Sequence, residues 1–113
     1  MIDFGLKEDR LNEIRRVLAR YPQVNRAVIF GSRARGDFKP NSDIDLAVYL
    51  ADAEDKMPGG LLLEIDDAAG IYKIDVIDML RLNNEPLRQR IEEDGVEIYD
   101  SILGTPLRRD VLA

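Results

Sequence analysis

Ile29-Phe30-Gly31-Ser32-Arg33-Ala34-Arg35-Gly36 is followed, after a short polar spacer, by Ser42-Asp43-Ile44-Asp45-Leu46-Ala47-Val48. Arg26 to Phe30 reads as a buried strand running into a turn at Gly31, and Ile44 to Leu50 reads as a second strand. Ten residues separate Ser32 from Asp43, so a small-residue turn and a pair of carboxylates are both mounted on sheet. Successive strand side chains point to opposite faces. Asp43 and Asp45 therefore share one face while Ile44 and Leu46 enter the core.

Two carboxylates held that close repel, which raises a pKa unless a cation neutralises them, and an all-oxygen donor set favours Mg²⁺ or Mn²⁺. A lone Asp-x-Asp also describes two solvated residues at a strand start. Gly31 permits positive φ and close backbone approach, and Ser32 to Arg35 can open a short helix whose free N–H groups face a phosphate. Taken alone, Gly31 to Gly36 is equally an ordinary glycine-bounded turn. Asp75 lies in the apolar run Ile74-Asp75-Val76-Ile77. A carboxylate inside a core strand must be paired or coordinated, and the other reading is an acceptor at a sheet edge. Asp78 is three residues further on and falls on the opposite strand face.

Together these elements resemble the minimal nucleotidyltransferases of the DNA polymerase β-like superfamily. Their signature is an apolar strand, Gly-Ser or Gly-Gly, a spacer, and Asp-x-Asp flanked by apolar residues. The likeness continues through Lys73-Ile74-Asp75-Val76-Ile77-Asp78, the strand of the third carboxylate, to Val96-Glu97-Ile98-Tyr99. It implies an α/β fold with a mixed central sheet flanked by helices, in the order helix, strand, short helix, strand, helix, strand, helix, strand. It also implies two Mg²⁺ ions on Asp43, Asp45 and Asp75, the same residues being catalytic, and nucleotide binding by Gly31, Ser32 and Arg33. The reaction implied is transfer of AMP from ATP to a hydroxyl. Small members of this kind pair with a separately encoded helical protein of the HEPN or substrate-binding type, and some adenylylate a tyrosine of a toxin partner. A two-component enzyme acting on an aminoglycoside-like alcohol and a catalytically silent binding module are the alternatives.

Composition sets bounds on all of this. The 113 residues suit one compact core, with 45% hydrophobic and 34% charged residues. There is no Cys and no His, which excludes the usual zinc sites, disulfide frameworks and histidine-based hydrolase triads. A net charge of −6 argues against a domain that grips long nucleic acid. No apolar run approaches the roughly 18 residues of a membrane span, and a cytoplasmic protein is expected. Arg33, Arg35 and Lys39 form a local basic cluster that suits a triphosphate or a solvated turn.

Elsewhere, Leu11, Ile14, Leu18 and Tyr21 predict an amphipathic helix over about residues 7–20, ended by Pro22. Residues 52–60, closing with Pro58-Gly59-Gly60, read as a loop, and Leu61, Ile65, Ala68 and Ala69 outline a crossover helix stopped by Gly70. Asn84, Pro86, Leu87, Ile91 and Gly95 mark a third helix, with Arg88, Arg90, Glu92 and Glu93 as its solvated face. The domain is expected over residues 1–100, with a tail over 101–113 that is frayed or contacts a partner.

Overall fold

The computed structural model describes residues 3–102. Along the chain it runs α1 (Glu8–Ala19), β1 (Val24–Phe30), α2 (Ser32–Arg35), β2 (Ile44–Leu50), α3 (Gly59–Ala69), β3 (Ile74–Asp78), α4 (Glu85–Asp94) and β4 (Val96–Asp100). The element order is the expected one. The expected tail lies outside the described residues from 103 onward.

The four strands form one sheet in the order β3-β2-β1-β4. β1 is antiparallel to both neighbours, while β2 and β3 are parallel because α3 crosses over between them. The sheet is mixed for that reason.

Each face of the sheet is covered by helix. Ile44, Leu46 and Val48 of β2 and Ala27 and Ile29 of β1 pack with Leu11, Ile14, Val17 and Leu18 of α1 and Leu61, Ile65 and Ala69 of α3. Full burial of a side chain such as Ile14 or Leu18 contributes about 1.5–3 kcal/mol. On the other face, Val28 and Ala47 meet Met79 and Ile91, with Leu87 of α4 packed against them. Asp45 alternates with Ala47, so it stands on the α4 face.

Two expectations are corrected here. Gly59 and Gly60 open α3 instead of closing the preceding loop. A β-carbon on Gly60 would sit 2.8 Å from Tyr21 Oη, so glycine at this position lets the helix start pass close to the end of α1. β3 is an edge strand, not a core strand, and Asp75 on it is exposed. Its carboxylate needs no partner on grounds of burial.

Candidate active site

Gly31 sits at the junction of β1 and α2 with φ 73° and ψ −152°, a backbone region open essentially to glycine alone. Its missing side chain matters as much as its dihedrals, because a β-carbon there would overlap Asp45 Oδ2. Phe30 and Asp45 are paired across β1 and β2, which brings the turn directly against the second carboxylate. The Gly31 carbonyl accepts from the amides of Ala34 and Arg35 and closes the single turn of α2. Ser32 and Arg33, at its start, have no carbonyl one turn earlier to receive their N–H groups.

The parallel register of β2 and β3 pairs Asp45 with Asp75. Paired residues of adjacent strands project to the same side of the sheet, about 4.8 Å apart along the hydrogen-bonding direction. Asp43 lies just before β2, and Lys73 Nζ is 3.9 Å from its Oδ2. The three carboxylates thus converge at one corner of the sheet. Burial, then the charges of Asp75 and Asp43, push the Asp45 carboxyl above its ordinary pKa, and only Arg35 opposes them. Asp78 is occupied elsewhere, accepting from the Leu80 amide at 3.0 Å and pairing with Arg81 at 2.9 Å.

Among the described residues no three acidic side chains are already gathered tightly enough to hold a metal ion. The three are neighbours, not a closed cage. Their chemistry nevertheless fits a divalent cation: the donors are all carboxylate oxygens, and Asp45 carries a repulsion that a cation would relieve. Asp43, Asp45 and Asp75 are the residues that could hold it.

The basic residues divide in a way the expected nucleotide set did not include. Arg33 is buried, and its guanidinium donates to the carbonyls of Phe4, Pro40 and Ser42 through four hydrogen bonds. Four of its five donors are thereby used, which leaves no fork for a phosphate. The expectation for the Arg33 side chain is therefore corrected: its guanidinium is a structural group, and only its backbone N–H faces out from the start of α2. Arg35 is the arginine that reaches the site, as Lys73 reaches Asp43. It faces Asp45 electrostatically and lines a cleft of about 200 Å³ with Phe30, Gly31, Leu87, Arg90 and Asp94. It is held there by weak pairing to Asp37 at 3.4 Å and Asp94 at 3.8 Å. Arg90, expected on a solvated face, also borders this cleft. Arg88 donates instead to the carbonyls of Met79 and Leu82.

A glycine turn set against clustered carboxylates at the corner of a mixed sheet is an arrangement suited to chemistry at phosphate. The description "Polymerase beta, Nucleotidyltransferase" matches residues 12–101. The chain belongs to this family of nucleotidyltransferases, in its minimal form. No curated protein sequence matches it. Among solved structures, a chain of the "Crystal structure of the toxin-antitoxin with AMP-PNP" is 27% identical, with a TM-score of 0.64 over 91% of this chain and 80% of that one. A chain of "tri-AMPylated Shewanella oneidensis HEPN toxin in complex with MNT antitoxin" is 25% identical, with a TM-score of 0.57, 92% of this chain and 77% of that one being covered. A chain of the toxin-antitoxin MntA-HepT is 24% identical, has a TM-score of 0.61 and matches over 95% and 80% of the two chains. At that identity the likeness is one of fold.

Proposed function

We propose that this chain transfers AMP from ATP to a tyrosine hydroxyl of a separately encoded, helical HEPN-type protein and so acts as an antitoxin. The observation that carries the reading is the corner where Gly31 abuts Asp45 and Asp45 pairs with Asp75. Its support is the likeness to a chain of a complex whose HEPN toxin is AMPylated, and to a chain of a toxin-antitoxin with AMP-PNP.

Gly31 and Ser32 would receive the β- and γ-phosphates, with Arg35 beside them. Asp43, Asp45 and Asp75 would hold two Mg²⁺ ions. Bound there, the ions supply charge neutralisation on the triphosphate and acidify the attacking hydroxyl. The acceptor oxygen forms a bond to the α-phosphorus while the α–β bridging P–O bond breaks. Its electron pair leaves with pyrophosphate, and the hydroxyl proton passes to Asp75 and from there to solvent. Asp75 suits that role because it is exposed. A cytoplasmic setting, where ATP and magnesium are supplied, goes with this reading.

The test is to mix the chain with its genomic-neighbour HEPN-type protein and labelled ATP. Intact mass of the partner should rise by one or more AMP units. Label on a small alcohol and none on the protein would favour the two-component small-molecule enzyme instead. Neutralisation that proceeds equally without ATP, and with Asp43→Asn and Asp45→Asn in place, would identify a silent binding module.

A further inference from the structure

The proposed reaction makes no use of the Arg33 guanidinium, although the side chain is among the largest fully buried ones of the described residues. Nη1 donates to Phe4 O at 2.8 Å, Nε and Nη2 to Ser42 O at 3.1 and 2.8 Å, and Nη2 also to Pro40 O at 3.3 Å. The guanidinium carbon lies 4.9 Å from the centroid of the Tyr72 ring and 5.3 Å from that of Phe38. One cation thus touches the N-terminal segment, the spacer between the two halves of the motif, and the turn that leads into β3. Ser42 immediately precedes Asp43, and Tyr72 precedes Asp75 by three residues. The Ile44 amide donates to Lys73 O at 2.8 Å, joining the same two segments through backbone.

Among the described residues no carboxylate pairs with Arg33; carbonyl dipoles and ring faces hold its charge. Such a buried cation is a poor device for stability, since well-packed apolar residues often do as well. Its rigid fork is a good device for geometry, and lysine cannot reproduce it. We infer that Arg33 is a positioning residue that fixes Asp43 relative to Asp75 and thereby sets the affinity of the carboxylates for a divalent cation. This rests on the cation site proposed above.

The experiment is Mn²⁺ titration without nucleotide, followed by electron paramagnetic resonance, with amide hydrogen exchange alongside. Arg33→Lys should weaken Mn²⁺ binding about 10-fold, as loss of an outer support of metal ligands commonly does. Exchange should quicken over residues 37–43 and 71–75 while α1 and β1 keep their protection. Unchanged Mn²⁺ affinity in the folded variant, or protection lost evenly over the whole sheet, overturns the inference. Should Arg33→Lys not fold, Phe38→Leu loosens the guanidinium without stranding a carbonyl, and the same local pattern is expected, with the same outcomes against it. A wild-type protein that binds no Mn²⁺ removes the cation site itself and the inference with it, whereas wild-type binding matched by the variant removes the inference alone.

Discussion

Asp45 carries the electrostatic strain of the site. Its pKa lies above the ordinary carboxylate value because burial and the charges of Asp75 and Asp43 disfavour ionisation. A carboxyl raised in the folded state favours folding while it is protonated, and that contribution is lost as pH rises through the folded pKa. At neutral pH, without a cation, the ionised group therefore opposes folding. Asp45→Asn should melt above the wild type at pH 7 without metal, and the gap should close as pH falls below the unfolded carboxylate value. Mg²⁺ should stabilise the wild type and leave the variant nearly unmoved, while transfer is abolished in the variant. Melting curves across pH, with and without Mg²⁺, check this, and a gap that is constant with pH would contradict it. At this scale the carboxylates were legible because strand alternation dictates their face. The choice between Arg33 and Arg35 was not, although a signal existed: in one helical turn Ser32 and Arg35, three apart, share a side while Arg33 points elsewhere. What the sequence does not reveal is that the spacer folds back over Arg33 and buries it.

Elements hold these residues by turns and caps whose effects can be separated. Gly31 combines positive φ with contact against Asp45, so Gly31→Ala must adopt a strained backbone and displace the carboxylate. Strain of this kind costs about 1–3 kcal/mol. The urea midpoint should fall accordingly and Mn²⁺ binding should weaken as well, whereas a change confined to stability would mean that Asp45 tolerates the shift. Asn84 offers a control outside the carboxylate cluster. Its side chain accepts from the Leu87 amide at 3.1 Å and caps α4. Asn84→Ala should lower stability by about 1 kcal/mol with cation binding unchanged. The cap, the element order and both strands of the motif were legible because local chemistry specifies them. The start of α3 was not, since Pro58-Gly59-Gly60 reads as a loop until Tyr21 is seen against Gly60. The edge position of β3 stood only as the alternative to a core strand, because strand order follows from long-range pairing that an apolar run of five residues does not encode.

The described residues form a single four-stranded sheet flanked by helices, with the glycine turn and the carboxylates at one corner, and among them no helix is long and apolar enough to cross a membrane. On the proposed reading, the residues assembled at that corner address phosphate and cation. The proposed acceptor must be brought by another molecule. Binding and turnover should consequently come apart. Mg²⁺ and ATP together should raise the stability of the isolated chain by mass action, by about 2.7 kcal/mol at a ligand concentration 100 times Kd. The shift should vanish when the metal is chelated. Turnover of that same complex should be slow, because holding both reactants in line supplies about 7–11 kcal/mol of a transfer barrier and the isolated chain holds only one of them. Adding the HEPN-type protein should therefore raise the rate of pyrophosphate release by orders of magnitude without tightening ATP binding to a comparable degree. Thermal shift gives the first quantity and single-turnover kinetics with labelled ATP the second. Equal pyrophosphate release with and without the partner would show that acceptor positioning is not what the isolated chain lacks.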